Sequence, residues 1–94
     1  MRYHVLISEK ARKQLQKLDR VTSEMIVSWI DENLNGCENP REKGKALTGP
    51  LKGIWRYRIE DYRILAEIRD GEVVILIIEV RHRKNVYEKK NVYD

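Results

Sequence analysis

The sequence predicts an α+β fold: an N-terminal strand, then an antiparallel two-helix hairpin packed on one face of a mostly antiparallel sheet that a three-stranded C-terminal meander completes. Three observations predict it. Apolar residues recur at helical spacing early in the chain, and they alternate with charged residues after residue 53. Glycines and prolines separate these two parts between residues 37 and 53. An Asp-Gly pair then divides two strand-like runs, which is typical of a tight hairpin.

The N-terminal part predicts a strand followed directly by a helix. Tyr3 to Ile7 has the composition of a short strand. Ser8 suits the N-cap of the helix, and Glu9 in the first turn suits the helix dipole. The apolar stripe of this helix consists of Ala11, Leu15 and Leu18. Because these residues lie on one helical face, we expect them to join a core.

A second helix is predicted after a short break at residues 19–20. Thr22 or Ser23 can cap its N-terminus, and Gly36 suits its C-terminal cap. Its apolar stripe consists of Met25, Ile26, Trp29, Ile30 and Leu34. Because the connection between the helices is so short, we expect them to form an antiparallel hairpin. Residues 37–53 are rich in breakers and are predicted to be loop.

The C-terminal half predicts three antiparallel strands. They run over residues 54–59, 62–69 and 72–81. Asp70-Gly71 between the last two is a type I′ hairpin signal. The third strand contains an apolar run from Val73 to Ile78 that covers both of its faces. We therefore expect this strand to lie inside the sheet rather than at an edge.

Alternation along these strands predicts which side chains share a face, because successive side chains of a strand point to opposite sides. One set would pack beneath the helices: Trp55, Tyr57, Ile59, Tyr62, Ile64, Ala66 and Ile68. The other set would occupy a second face that is at least partly open: Arg56, Arg58, Arg63, Leu65 and Glu67. The open face therefore gathers arginines, which suits contact with a polyanion.

Length and composition favour a single small domain over residues 1–94, with residues 84–94 as a C-terminal tail in which a short helical turn is expected. The net charge of +4 is compatible with nucleic-acid binding but supports it only weakly. No apolar run approaches the roughly 20 residues that span a bilayer. The N-terminus lacks the pattern of a signal peptide. We therefore expect a cytoplasmic protein without a membrane partner.

The sequence lacks the motifs of several common kinds of functional site. Cys37 is the single cysteine, which excludes an internal disulfide and a thiolate metal site. It lies in a polar loop without an evident activating base, so we interpret it as an incidental thiol. No H-x-x-H, C-x-x-C or D-x-D-x-D pattern occurs, and the glycines are not spaced as a phosphate-binding loop. We expect neither a metal site nor a cofactor.

Arginines close to a histidine and a tyrosine fit the cleavage of RNA without a metal. In that reaction the 2′-hydroxyl attacks the neighbouring phosphorus, so a protein must transfer protons and stabilise the charge of the phosphorane. Arginine suits the second task, because its guanidinium stays charged and matches two phosphate oxygens. His82 can transfer protons near neutral pH, and Tyr87 is the second candidate.

Motifs between Lys45 and Tyr87 resemble those of a known family. They are the run G-x-W-R-Y-R-I-x-x-Y-R-I-L, the Asp-Gly hairpin, the apolar strand and the closing R-H-R-K-N-V-Y. With the element order, they resemble the RelE toxins of bacterial toxin–antitoxin pairs, within the wider RelE/ParE superfamily. The W-R-Y-R run with the H-R-x-x-V-Y ending is typical of the RelE side, whereas Y-R-I-L is shared with the ParE side.

The resemblance implies a compact toxin that cleaves mRNA on the translating ribosome, in the decoding site, without a metal. It implies a cognate RelB-like antitoxin that wraps the toxin and blocks it. Toxin and antitoxin together would repress their own operon, so operator DNA would be a partner of the toxin–antitoxin complex only.

Positions of the family's site carry over to this sequence one at a time. The implied catalytic residues are Arg58, Arg63, Arg81, Tyr87 and His82. The implied RNA-binding residues are Lys52, Arg56, Arg83 and Lys84. The best-known member has lysines where this chain has Arg56 and Arg58, and an arginine, unlike a lysine, cannot give up its proton to act as a base. His82 and Tyr87 therefore stay open as alternatives for proton transfer.

Two other functions are compatible with these residues. A ParE-like inhibitor would bind DNA gyrase and cleave no RNA; the R-x-x-V-Y ending argues against it, because such an inhibitor needs no catalytic tyrosine. A basic RNA- or DNA-binding module without activity would lose affinity, and part of its salt dependence, when charge is removed. Induction of the SOS response on expression would distinguish gyrase inhibition from mRNA cleavage.

Overall fold

Two helices and five strands form the fold in the computed structural model, which describes residues 1–84. Their bounds are β1 His4–Ile7, α1 Glu9–Gln16, α2 Arg20–Asn33, β2 Lys45–Ala46, β3 Ile54–Ile59, β4 Tyr62–Arg69 and β5 Val74–His82. The strands form one sheet in the order β1-β5-β4-β3-β2. β1 runs parallel to β5, and all other neighbours are antiparallel. The predicted α+β class is confirmed.

The two helices begin at side-chain caps, one of which the sequence predicted. Ser8 caps α1 by accepting a hydrogen bond from the backbone N–H of Ala11. The cap of α2 is Asp19, so the prediction of Thr22 or Ser23 was wrong. Asp19 accepts from both the backbone N–H and the hydroxyl of Thr22, which makes it the better cap. Neither helix combines the length and the apolarity needed to cross a bilayer.

A short strand lies inside the segment that was predicted to be loop. Lys45 and Ala46 of β2 pair with Arg56 and Trp55 of β3, and the N–H of Leu47 donates to the carbonyl of Ile54 at 2.9 Å. Two residues are too few to show the alternation by which a strand is recognised. β2 therefore forms only because β3 provides its hydrogen-bonding partner, which is a tertiary effect.

The connection between β4 and β5 differs from the predicted type I′ hairpin. A 3₁₀ turn spans Asp70–Glu72, and Val73 follows with a left-handed φ of +56°. β5 accordingly begins at Val74 instead of Glu72. The Asp70 carboxylate accepts hydrogen bonds from the Tyr3 hydroxyl at 2.6 Å and from Arg41 at 2.8 and 3.1 Å. These distant partners outweigh the local preference of the Asp-Gly pair.

The core lies between the helices and one face of the sheet. Its buried members are Ala11, Leu15, Ile26, Ile30, Leu34, Tyr57, Ile59, Ile64, Ala66, Ile75, Ile77 and Val80. The predicted core-facing set is borne out for β3 and β4, with Trp55 and Tyr62 partly buried against this cluster and Ile68 half-buried. β5 has β1 on one side and β4 on the other, which confirms that it lies inside the sheet.

Candidate functional site

Three arginines lie side by side on the sheet face away from the helices. The register pairs Arg58 of β3 with Arg63 of β4, and Arg63 with Arg81 of β5. Residues directly opposite each other in antiparallel strands have Cα atoms about 4.5–5.5 Å apart. The strands therefore bring three guanidinium-bearing side chains together as one row, which we call the arginine row.

Exposure differs strongly along the arginine row. Arg58 is exposed, 19% of the Arg81 side chain is exposed, and Arg63 is 1% exposed. One nitrogen of Arg63, Nη1, donates to the carbonyl oxygens of Glu60 and Tyr62, both at 3.2 Å. Arg63 thus anchors the turn between β3 and β4, while Arg58 extends into solvent. A ligand can approach the row from the Arg58 side.

A buried carboxylate that the sequence analysis did not select lies beside the arginine row. Glu79 is 8% exposed, and it forms ion pairs with Arg81 on the same strand and with Lys10 of α1, the latter at 3.0 Å. Burial of a carboxylate is costly unless it is paired, and two cations meet that need here. Glu79 therefore fixes the Arg81 guanidinium from within the protein. Glu79 could have been selected from the sequence, because it is an acidic residue two positions before Arg81 in an otherwise apolar strand.

The first helix completes the strand that carries Arg81. β1 ends at Ile7, opposite Ile77. Beyond that point, the Ser8 hydroxyl donates to the carbonyl of Ile78 at 3.3 Å, and the Gln14 side chain accepts from the N–H of Val80 at 2.7 Å. The side chains of Ser8, the N-cap of α1, and of Gln14 thus replace a strand partner along the last part of β5, just before Arg81.

The predicted RNA-binding residues lie on β3, in the loop before it and past the end of β5. Arg56 is 7% exposed and lies in the next row, opposite Lys45 and Leu65. Lys52 is exposed on the loop that leads into β3. Arg83 and Lys84 are exposed past the end of β5, and the backbone N–H of Arg83 donates to the carbonyl of Asp61 at 2.7 Å. Arg56 is therefore buried, whereas Lys52, Arg83 and Lys84 present exposed cations.

Of the two candidates for proton transfer, His82 is the one that lies within residues 1–84, and it is not brought together with the row. His82 follows Arg81 and therefore projects from the opposite sheet face, where its ring meets that of Tyr62 edge-to-face at 5.1 Å. Its Nδ1 accepts a hydrogen bond from the backbone N–H of Lys84 at 3.1 Å. Strand alternation already implied this separation. Tyr87 lies outside the described residues.

The arginine row favours the binding of an anion. Like charges directly opposite each other in a sheet repel, and Glu79 offsets part of this repulsion by pairing with Arg81. A phosphate group on the row would accept charge-assisted hydrogen bonds, which are about twice as strong as neutral ones. A phosphodiester could thus be bound there, and negative charge that developed on it would be stabilised.

Comparisons with known proteins identify toxins of both the ParE and the RelE type. The ParE toxin family of type II toxin–antitoxin systems, parDE, matches residues 5–87. Toxin RelE of Mycobacterium tuberculosis is 33% identical over 85 residues, which cover 90% of this chain and 86% of that protein.

Solved structures are similar over most of their length. The toxin–antitoxin complex RelBE2 of Mycobacterium tuberculosis has a TM-score of 0.80 at 30% identity and covers 88% of this chain and 100% of that chain. The archaeal RelE–RelB complex of Pyrococcus horikoshii OT3 has a TM-score of 0.67 at 30% identity, over 88% of this chain and 97% of that one. The resemblance drawn from the sequence motifs is confirmed. The chain belongs to the RelE/ParE superfamily of toxins of type II toxin–antitoxin systems.

Proposed function

We propose that the protein is a ribosome-dependent mRNA endoribonuclease that inhibits translation. The observation that carries this proposal is the register of Arg58, Arg63 and Arg81 on three neighbouring strands. A phosphodiester fits this row, because guanidinium groups donate charge-assisted hydrogen bonds to phosphate oxygens. The basic residues on either side of the row continue this surface along a polyanion.

Each member of the row has its own task in the proposed reaction. Arg58, which is exposed, and Arg81, which Glu79 holds in place, contact the scissile phosphate and stabilise the phosphorane. Arg63, which is buried, supplies fixed positive charge and holds the turn. Arg56, Lys52, Arg83 and Lys84 hold the RNA on either side. The nucleophile is the substrate's own 2′-hydroxyl.

Tyr87 is the proposed group for proton transfer. An arginine stays protonated and cannot act as a base. The His82 imidazole projects from the face opposite the arginine row, which argues against it and leaves Tyr87 as our candidate. The Tyr87 hydroxyl would take a proton from the 2′-hydroxyl or give one to the leaving oxygen.

The proposal includes a cognate antitoxin. The similar structures from Mycobacterium tuberculosis and Pyrococcus horikoshii OT3 are toxin–antitoxin complexes with RelB partners. We extend this to a RelB-like antitoxin for the present chain, which would cover the basic face. The toxin would act in the cytoplasm, where ribosomes translate mRNA, and would meet operator DNA only through the toxin–antitoxin complex.

Primer extension on a defined mRNA in a reconstituted translation reaction tests the proposal. The wild-type protein should produce cuts in register with codons, only when ribosomes are present. Arg81→Ala should reduce cleavage at least 100-fold, because a charge on the phosphorane loses its partner. Arg20→Ala is the matched control, since this arginine is 89% exposed on α2. Wild-type cleavage by a folded Arg81→Ala variant would refute the assignment.

Gyrase inhibition is the second candidate, because the family that matches residues 5–87 is described as the ParE toxin family. A gyrase supercoiling assay with the same proteins separates the two. Inhibition of supercoiling together with intact mRNA would assign the chain to the ParE side. The arginine row would then contact an acidic protein surface instead of RNA.

A further inference from the structure

Three lysines lie along the exposed side of α1. Lys10, Lys13 and Lys17 follow one another at spacings of three and four residues, which places them on one side of a helix. All three are exposed, whereas Ala11 and Leu15 on the other side are buried in the core. We call these three lysines the lysine stripe. None of them was selected in the sequence analysis.

The positive charge of the chain is concentrated in this helix. Residues 9–17 contain four basic side chains and one acidic side chain, which gives a net charge of +3, whereas the whole chain has +4. The acid is Glu9, whose carboxylate lies 3.5 Å from Nζ of Lys13 and 3.9 Å from a guanidinium nitrogen of Arg12. Exposed ion pairs of this kind contribute little free energy, so a phosphate can replace Glu9 as the partner of Lys13. A polyanion would therefore be drawn to α1.

Lys10 occupies a position that helix electrostatics disfavour. It lies in the first turn of α1, near the positive end of the helix dipole, where a cation is unfavourable. Glu79 offsets this cost, because its carboxylate accepts a hydrogen bond from Nζ of Lys10 at 3.0 Å. The same carboxylate pairs with Arg81. Lys10 thus connects the lysine stripe to the arginine row, a placement that the stability of the helix alone does not explain.

We propose that the lysine stripe binds the phosphate backbone of a folded RNA segment, separate from the RNA strand that is cleaved. A lysine ammonium is a compact charge on a flexible stem, so it contacts a phosphate without the two-pronged geometry of an arginine. Such contacts position a protein on a nucleic acid without reading its sequence. The seven residues from Lys10 to Lys17 extend about 10.5 Å along the helix axis, which is long enough for contacts with successive phosphates.

The ribosome would supply the folded RNA. In the proposed reaction the arginine row holds the scissile phosphate, and the lysine stripe would hold the protein on RNA that does not react. The identity of this RNA as ribosomal rests on the proposed function, whereas binding of a folded RNA backbone can be measured without a ribosome.

An acidic protein surface is the competing partner. The centre of a protein interface is formed by apolar and aromatic side chains, and lysine is depleted there. The other exposed positions of α1 are Glu9, Arg12 and Gln16, which are all polar. Because the apolar residues of α1 are buried in the core, the helix offers no anchor for a protein and no apolar face for a bilayer. Its composition favours RNA.

Fluorescence anisotropy with two labelled RNAs of equal length tests the lysine stripe. One RNA is a hairpin duplex and the other is unpaired, and both are 2′-O-methylated so that no 2′-hydroxyl can attack. Lys13→Gln/Lys17→Gln should weaken hairpin binding about 10-fold and reduce the slope of log K against log salt by about 2, because two phosphate contacts are lost. Lys10 is kept in this variant, so its ion pair with Glu79 remains.

Two further variants serve as controls. Arg20→Gln/Lys43→Gln removes the same charge from exposed side chains outside α1, and it should retain the hairpin affinity and the salt slope of the wild type. Arg81→Ala should show the converse pattern to the α1 variant. It should weaken binding of the unpaired RNA more than binding of the hairpin, because the arginine row holds the substrate strand.

Each remaining outcome decides the question. An equal loss of hairpin affinity in the two double variants would show an effect of total charge and overturn the proposal. An absence of hairpin binding at low salt would also overturn it, as would tighter binding of polyglutamate or of phosphatidylglycerol vesicles than of the hairpin.

Primer extension in the translation reaction separates this proposal from the proposed function. Cleavage that depends on Arg81, together with an α1 variant that binds the hairpin as the wild type does, would refute only the lysine stripe. Hairpin binding that depends on Lys13 and Lys17, together with intact mRNA, would support the stripe as an RNA-binding site and refute the nuclease.

Discussion

Gly44 packs against the ring of Tyr57, and this packing restricts which residues can occupy position 44. A Cβ at Gly44 would lie 2.7 Å from Cε1 of Tyr57. Tyr57 is fully buried and its hydroxyl donates to the carbonyl of Pro40 at 2.5 Å, so the ring has little freedom to move away. Burial raises the pKa of Tyr57 far above its ordinary value of 10.0, so the hydroxyl remains a donor.

Gly44→Ala should therefore destabilise the protein by about 1–3 kcal/mol, the usual cost of forcing an extra group into a packed site. Urea unfolding followed by circular dichroism measures this. Gly71→Ala is the control, because a Cβ at Gly71 meets nothing within 4 Å. Equal stability of the two variants would show that the Tyr57 ring can shift.

At the scale of elements, α1 acts as a partner of β5 as well as a core helix. β1 is too short to cover β5 beyond Ile77. The side chain of Gln14 accepts the hydrogen bond from Val80 N–H that a strand would otherwise accept. The same part of β5 carries Glu79 and Arg81, so the helix helps to set the geometry of the arginine row.

Gln14→Leu should leave the part-buried N–H of Val80 without its acceptor and cost about 1–3 kcal/mol. Hydrogen exchange at the Val80 amide should become faster. Gln16→Leu provides the matched control, since Gln16 is exposed on the same helix. Unchanged protection of Val80 in Gln14→Leu would show that this hydrogen bond does not hold the end of β5.

At the scale of the whole molecule, one carboxylate connects three distant parts of the chain. Asp70, in the turn before β5, binds Tyr3 just ahead of β1 and Arg41 in the segment between α2 and β2. The guanidinium of Arg41 also lies 5.6 Å from the ring centre of Trp55. Hydrogen bonds from Arg41 and then Tyr3 lower the pKa of Asp70 from 3.8 to about 2.

This shift predicts how acid affects folding. A carboxyl group whose pKa is depressed in the folded state stabilises the fold above its ordinary pKa, and the contribution is lost as pH falls through the folded pKa. The free energy of unfolding should thus decrease between pH 4 and pH 2. In Asp70→Asn this decrease should be smaller, whereas Asp31→Asn should retain it. An identical slope in Asp70→Asn and the wild type would contradict the assignment.

The sequence by itself determined β3 and β4 and the faces on which their side chains lie. The bounds of β3 and β4 agree with the predicted residues 54–59 and 62–69. Period-two alternation decided this, since it places arginines on one face and apolar residues on the other whatever the neighbours are. The same rule places His82 on the opposite face from Arg81, and Glu79 on the same face as Arg81. The motifs that resemble the RelE toxins also lie in this half of the chain, between Lys45 and Tyr87.

Only the tertiary structure decided features that depend on residues far apart in the chain. β2 forms because β3 provides its hydrogen-bonding partner. The conformation of the turn at Asp70 depends on hydrogen bonds from Tyr3 and Arg41. The alignment of Arg58, Arg63 and Arg81 required the register between strands, which alternation along one strand does not give. Periodicity is a local property of the chain, whereas register, edges and burial arise only when separate segments pack together.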